Sequence, residues 1–465
     1  MNTTILIVVL AIYLLAMLGI GLVGKKKYGG NFDSLISAGR SAGVLMFAGG
    51  AIGAHIGNGF VVGGTADAAS VGLSGMWYGM CCAISYIFCA FFLNKRVYRA
   101  GHISLPEFLR ARYNDKFTSV MFSLVATVGL VGNIGVQILA GKALFISMGL
   151  NGNLGAVVIT LVVLAYSALS GLWAAMATSV VQIGVITVGL ILTTVTLFTR
   201  GGFSVITEAV ASGALPDTFF NPLPQGGFTS VMLMLVPITM AVMADQCTVQ
   251  RIVACKSEST AMKGWILSII MIVPLALMPT FIGMYGAAVY GASGTSSFFT
   301  VILNGLHPVI AAVMVAAVLA AIMSTVDAFF VAISTVILND LYRGMINPKA
   351  SEKTLTMGNY VITALVAGVG LTIALLANNI VSLLVSCCAF VAAGSFAPFM
   401  GGLLWKGGTR TGAIVSSVTG IAFMTLSLTG ILPLPMGEVS PTAISLVVYI
   451  IVSLATGQKE GAAAK

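Results

Sequence analysis

The run Gly49-Gly50-Ala51-Ile52-Gly53-Ala54-His55-Ile56-Gly57-Asn58-Gly59 lies inside a hydrophobic stretch, about 43–66, that is long enough to cross a bilayer. Glycine weakens a helix by roughly 1 kcal/mol against alanine. Here it recurs at 49, 50, 53, 57 and 59 around the polar pair His55 and Asn58. Such a segment makes a poor continuous lipid-facing helix. It reads as a helix interrupted at membrane depth, where unwound backbone is tolerated only if it is buried in protein or lines a cavity. Glycines can also serve close helix packing alone, but polar side chains that coincide with the break favour a site. A second stretch of the same build, about 230–249, carries Pro237 and then Asp245, Gln246, Thr248 and Gln250 near its inner end.

The rest of the chain is a membrane protein throughout. Charged residues make up 8% and hydrophobic residues 58%, against about 25% charged in soluble domains, so no water-soluble surface can be assembled. Hydrophobic spans fall at about 4–24, 43–66, 73–94, 117–148, 153–173, 177–199, 230–249, 265–290, 308–338, 356–377, 380–404, 411–432 and 441–457, which is thirteen. Along an alternating path through them, all but Lys142 and Arg200 of the 22 Lys and Arg residues fall on one side. By the positive-inside rule that side is cytoplasmic, with the N-terminus outside and the C-terminus inside. The net charge of +9 is accounted for by juxtamembrane loops facing the lipid bilayer, and no nucleic-acid partner or obligate protein partner is implied. The first span is expected as a retained helix, because it lacks a small-residue cleavage signature. The seven cysteines map to spans or cytoplasmic loops and read as small packing residues. The outer loop from Thr199 to Thr229, with Pro216, Pro222 and Pro224, reads as an ordered, partly helical cover.

Counting five spans from each interrupted helix gives two equal blocks. An odd number of spans reverses the second block, so these are expected as inverted repeats with a binding site near the midplane. The divisions are residues 1–42 (extra helix and first cytoplasmic loop), 43–200 (spans 2–6), 201–229 (extracellular loop), 230–404 (spans 7–11) and 405–465 (two further helices and tail). The fold class is therefore all-α and polytopic.

Titratable groups at membrane depth are few, and each is a functional candidate by default: His55, Asp245 and Asp327, with Asp67 near an outer end. Lys142 lies near the outer face and is expected to snorkel. The strongest local signal is Ala321-Ile322-Met323-Ser324-Thr325-Val326-Asp327. Ser324 and Asp327 share a helix face at i and i+3, with Thr325 adjacent, so two hydroxyls and a carboxylate can converge on a cation. Hard cations prefer oxygen, and helix breaks supply carbonyls as further ligands, which suits sodium. Ser334 and Thr335 are expected to bond back to their own helix.

These features together resemble the sodium:solute symporter family, whose members carry proline, pantothenate, sialic acid, sugars and choline. The likeness covers nearly the whole chain. It rests on the span layout, Ala38-Gly39-Arg40, Val136-Gln137-Ile138-Leu139-Ala140-Gly141-Lys142, Gln250-Arg251, and Ala320 to Thr325 followed by Asn339-Asp340-Leu341-Tyr342. Gly64-Thr65-Ala66-Asp67-Ala68 and Met323 to Asp327 look most similar to the choline-transporter branch. The resemblance implies a LeuT-like five-plus-five inverted-repeat core. It also implies a sodium site made by carbonyls of Gly53, Ile56 and Ala321 and the hydroxyls of Ser324 and Thr325. Many members carry Trp-Thr-Asp and then a glutamine in the sixth span; this chain has Ala177-Thr178-Ser179-Val180-Val181-Gln182. The carboxylate that helps hold an extra sodium in some members is missing, and Asp327 is a candidate for a second sodium or a proton in its place.

The substrate candidates are His55, Asn58, Asn133, Gln137, Asp245 and Gln246. Choline-branch members place aromatic cage residues where this chain has His55 and Asp245, and cation–π binding of a quaternary ammonium needs those rings. The expected solute is instead small and polar or zwitterionic. His55 has a second reading, a histidine satisfied by a backbone carbonyl, and Asp245 has others, a cytoplasmic gate or a partner of Arg251. The function expected is sodium-coupled import by alternating access across a bacterial inner (plasma) membrane. The alternatives are proton coupling on the same fold and a non-transporting solute sensor. No nucleophile–base pair or metal cluster supports an enzyme.

Overall fold

The computed structural model describes residues 3–28, 31–57, 59–167, 171–294, 296–377, 380–437 and 439–463. It is almost wholly helical. Helix α1 (Thr3–Tyr28) leads through α2 (Phe32–Ser37) into α3 (Val44–His55), which stops at the glycine-rich run. Ile56 leaves helical geometry there (φ −85°, ψ 65°) while its N–H still reaches Ile52 O at 2.6 Å. The path resumes as a π turn over Gly59–Gly63 and as α4 (Gly64–Val71), so the interruption falls where the glycines cluster. Gly72 then turns the chain at φ 71°, a conformation glycine adopts freely. The Phe219 carbonyl abuts it, so a side chain at 72 would also have nowhere to go.

Next come α5 (Trp77–Phe88), α6 (Asn94–Ala100), the short α7 (Leu105–Tyr113) and the long α8 (Lys116–Ser147). Then follow α9 (Gly152–Ser167), α10 (Leu172–Thr199) and the outer α11 (Gly202–Ala211). The outer loop is partly helical, as expected, and Trp77 Nε1 donates to its Pro222 O at 2.6 Å. The second interruption separates α12 (Phe228–Met243) from α13 (Gln246–Ala254), which are bent by 51°. Asp245 caps α13 by accepting from Thr248 N at 2.8 Å, so a good N-cap residue marks where the helix restarts.

The chain continues through α14 (Glu258–Tyr290), α15 (Ser296–Gly305), α16 (Pro308–Ser334), α17 (Glu352–Leu376), α18 (Ile380–Val391), α19 (Ala397–Leu404), α20 (Arg410–Leu428) and α21 (Val439–Ala463). Among the described residues ten helices are long and apolar enough to cross a membrane, or eleven if α12 and α13 form one bent span. Of the other two stretches read as spans, the second is cut short at His55 by its break and the fifth is a shorter apolar helix. The span from Pro308 to Ile346 has 83% of its most apolar window buried inside the protein, against 22% for the N-terminal helix, so α16 is central and α1 peripheral. It packs on α10, α8, α3 and α1.

The basic loops meet at one end of the bundle. Arg99 pairs with Glu258 (2.9 Å), Arg343 with Asp33 (2.7 Å) and Arg410 with Asp115 (3.1 Å), and Phe32 N donates to Glu352 Oε2 at 2.6 Å. Arg200, which the charge count leaves on the other side, donates to Gly305 O at 2.6 Å, and Tyr285 Oη donates to its carbonyl at 3.2 Å.

Candidate functional site

Two features lie against the break in α3. The first is a cluster of neutral oxygens between α3 and α16. Thr325 Oγ1 lies 2.9 Å from Gly53 O and 3.1 Å from Ala321 O, and Ser324 Oγ lies 3.0 Å from Ala321 O. Ile56, at the open end of α3, is fully buried. The cradle depends on Gly53: a Cβ there would come within 3.0 Å of Ser179 Oγ and 3.2 Å of Ser324 Cβ. Carbonyl and hydroxyl oxygens with no net charge, at a helix end whose terminal carbonyls have no continuing turn, are a donor set that fits a hard monovalent cation.

The second feature is a cavity of ≈250 Å³ lined by residues from Leu105, past the break, to Asp67 just beyond the second span. It gathers His55 of α3, Asn133 and Gln137 of α8, and Asp245 and Gln246 at the start of α13, five substrate candidates from three separate helices. Asn58, the sixth, lies outside the described residues. Thr325 also borders the cavity, so the oxygen cluster and the solute space share one side chain.

The polar centre of the cavity is a pair. His55 Nε2 stands 4.0 Å from Asp245 Oδ2. On its other edge His55 Nδ1 is 3.0 Å from Ala51 O and 3.1 Å from Tyr86 Oη, and Tyr86 Oη donates to Ala51 O at 2.8 Å. A carbonyl can only accept, so the proton is assigned to Nδ1, and Nε2 of the neutral ring is left as an acceptor toward the cavity. One ring nitrogen is thus satisfied by a backbone carbonyl, while the other faces the cavity. Asp245 keeps one oxygen on the α13 cap while facing His55. Arg251 is not among the lining residues: its side chain lies against Gly50, and its buried Nε has no partner.

The amide candidates are partly committed. Asn133 Nδ2 donates to Gly129 O at 3.0 Å, and Gln137 is pressed against the break, where a Cβ on Gly57 would meet its amide at 2.7 Å. Gln246 Oε1 accepts from Leu105 N at 2.8 Å, and its Nε2 reaches Ile103 O at 3.4 Å. It thus ties the inner half of the bent span to the loop before α7.

Asp327 is buried one turn beyond Ser324 and accepts from Ser167 Oγ of α9. Nearby, Tyr13 of α1 donates to Met323 Sδ at 3.4 Å and accepts from Gln182 Nε2 at 3.4 Å, while Gln182 Oε1 is buried without a partner. Thr335 bonds back to Val331 O as expected. Ser334 does not: its buried Oγ has no partner, at the point where the helix passes into a π segment, Thr335–Ile346, and the carbonyl register changes. Lys142 reaches Leu375 O at 3.4 Å in an exposed setting.

Sequence reasoning did not find Tyr86 as the residue that orients His55, nor Ser167 beside Asp327. From sequence Tyr86, like Trp77 and Tyr78 of the same span, can line a pocket or belong to an aromatic belt, which does not place it on His55, and Ser167 is one of many small residues.

The fold built around these features recurs among solved transporters. The structure reported as a substrate-bound outward-open state of a Na+-coupled sialic acid symporter matches with a TM-score of 0.83 at 18% identity, over 97% of this chain and 98% of that one. Mhp1, a nucleobase-cation-symport-1 family transporter in a closed conformation with bromovinylhydantoin bound, matches with a TM-score of 0.61 at 16% identity, over 91% and 94%. At these identities the likeness is one of fold, the LeuT-like fold of membrane secondary transporters, which move solutes without altering their covalent bonds.

The family model described as Sodium:solute symporter family matches residues 35–420, and the chain belongs to that family. Its relatives include the high-affinity proline transporter PutP of Bacillus subtilis (strain 168), 27% identical over 421 residues, 87% of this chain and 88% of that protein. The sodium/proline symporter of Staphylococcus aureus (strain NCTC 8325 / PS 47) is 27% identical over 453 residues, 92% and 86%.

Proposed function

We propose that this protein imports a small polar or zwitterionic organic solute together with sodium, by alternating access, across a bacterial inner (plasma) membrane with its basic loops in the cytoplasm. Sodium is held by the carbonyls of Gly53, Ile56 and Ala321 and the hydroxyls of Ser324 and Thr325. The solute lies in the adjoining cavity against His55, Asp245 and the neighbouring amides. The observation that carries this reading is Thr325, which spans from Gly53 O to the cavity wall. Sodium at that point holds the first half of the interrupted span against α16 and so keeps the cavity formed. Solute in the cavity strengthens sodium binding in return, since such coupling is reciprocal. Release of sodium to the cytoplasm loosens both.

Proteoliposomes test this directly. Uptake of a solute identified by binding is expected under an inward sodium gradient, absent under an equal potassium gradient, and abolished in Ser324→Ala. Uptake driven equally well by potassium would overturn the sodium assignment. A second reading, coupling to protons or to a second sodium through Asp327, is favoured by the burial of that carboxylate against Ser167. It predicts that Asp327→Asn lowers the charge moved per solute while leaving sodium binding at Ser324 intact.

A further inference from the structure

The charge of the cavity narrows the solute further, within the symporter reading given above. Among its described lining residues the carboxylates are Asp67 and Asp245, and no Lys or Arg contributes to the wall. A carboxylate or phosphate brought into this space would meet like charge with no cationic side chain among the described wall residues to pair with, positive charge standing behind the wall in sodium at the proposed Thr325 site and in Arg251. The amide donors are partly committed elsewhere. The Asn133 amide is committed to Gly129 O, Gln246 to Leu105 and Ile103, and Gln137 is pressed on the Gly57 backbone. The buried guanidinium of Arg251 lies against Gly50, outside the lining.

The wall's hydroxyls are those of Tyr78, Thr325 and Ser395, and what the paired centre of the cavity offers is acceptors. His55 Nε2 and Asp245 Oδ2 stand 4.0 Å apart, both half-buried, with the ring held from behind by Ala51 O and Tyr86 Oη. An N–H donor placed between them can reach both at ordinary hydrogen-bond length. Around this point the walls are apolar: Phe60, Leu130, Pro237, Ile238 and Phe329. Asp67, farther out along the same cavity, adds negative potential on the approach.

We propose that the transported solute is a small organic cation, a protonated amine with at least one N–H and an apolar body, bound through its ammonium between Asp245 and His55. The N–H sets it apart from a quaternary ammonium, which can satisfy the carboxylate electrostatically but gives His55 Nε2 nothing to accept. The absence of a cationic side chain among the described wall residues sets it apart from an amino acid, whose carboxylate would share the cavity with Asp67 and Asp245 without an ion-pair partner in that wall.

The test uses the purified full-length protein in sodium and two matched ligand series. One comprises isoamylamine, its N-trimethylated ammonium, isoamyl alcohol, isocaproate and leucine; the other comprises phenethylamine, its N-trimethylated ammonium, phenylethanol, hydrocinnamate and phenylalanine. Thermal stabilisation is recorded against concentration, because a ligand of the folded state raises stability by mass action. The amine of at least one series is expected to bind about tenfold or more tightly than its trimethylated, neutral, anionic and zwitterionic counterparts. Asp245→Asn keeps a good helix cap and is expected to weaken the amine by about tenfold or more while leaving the sodium-dependent stabilisation in place. Tighter binding of the carboxylate or the amino acid, no response to either amine, or an Asp245→Asn protein that binds the amine unchanged would overturn the proposal. The sodium response, and its loss in Ser324→Ala, is read in the same samples. Amino acids winning with the sodium response intact removes the cation assignment and spares the symporter reading; amines binding with no sodium response does the reverse.

Discussion

At the scale of single residues, the site is built from close approaches that leave no room for substitution. Gly53 is the clearest case, because its missing side chain lets Ser179 and Ser324 come within about a bond length of contact with the α3 backbone. Gly53→Ala is expected to push α3 away from α16 and raise the sodium concentration for half-maximal stabilisation about tenfold, equivalent to ~1.4 kcal/mol. Adding Ser179→Gly, which removes the nearest obstructing atom, is expected to recover part of that loss, and a titration of thermal stability with sodium reads both. Ser324 and Thr325 were legible in the sequence because two hydroxyls and a carboxylate within one helical turn are unusual in an apolar span. Gly53 and Ile56 entered through family likeness, since a carbonyl ligand leaves no mark on residue identity. His55 and Asp245 were each legible as costly polar residues, but their pairing was not, because no local pattern links a position in α3 to one at the start of α13.

At the scale of elements, both interruptions sit where composition placed them, and each ends in a different device. In the second span glycine removes the side chains and the helix stops; in the seventh, Asp245 caps a new helix set at 51° to the old one. Gln246, the next residue, holds Leu105 N at 2.8 Å and so closes the inner side of the cavity with the loop before α7. Read from sequence it is a substrate ligand; in the structure its amide joins two elements at the cavity floor. Gln246→Leu would leave the buried Leu105 N–H unpaired at a cost of about 1–3 kcal/mol. Faster hydrogen exchange over residues 101–113, with exchange in the outer loop unchanged, is the expected outcome. Unaltered exchange in 101–113 would mean that the floor is held by other contacts.

At the scale of the whole molecule, the charge asymmetry of the chain reappears as an end of the bundle tied by ion pairs and capped helices. Burial raises the Glu107 carboxyl, but hydrogen bonds from His102 (3.3 Å) and Ile103 N (3.2 Å) outweigh it and hold the group below its ordinary range. Burial likewise raises the Asp115 carboxyl, but hydrogen bonds from Thr118 N and Oγ1 (both 2.7 Å), with Arg410 beside them, together outweigh it and bring the group below its ordinary range. A carboxylate with a depressed folded pKa contributes stability that is present above its unfolded value, near pH 4, and is lost as pH falls through the folded value. Acidification below roughly pH 4 is therefore expected to loosen the basic end first. Glu107→Gln with Asp115→Asn should flatten that decline in a thermal-stability profile against pH.

The sequence by itself determined that the chain is a helical membrane protein, where two of its spans break, which loops share an end, and that the hydroxyls of Ser324 and Thr325 stand within one helical turn of a carboxylate in an apolar span. These are properties of composition and of spacing along one helix, and the bilayer imposes them locally. The tertiary structure alone decided which polar groups meet: His55 with Asp245 and Tyr86, Asp327 with Ser167, Gln246 with Leu105, and Arg251 behind the cavity wall. Those meetings depend on how helices far apart in sequence are rotated and pressed together, and periodicity within one helix carries no information about the rotation of another.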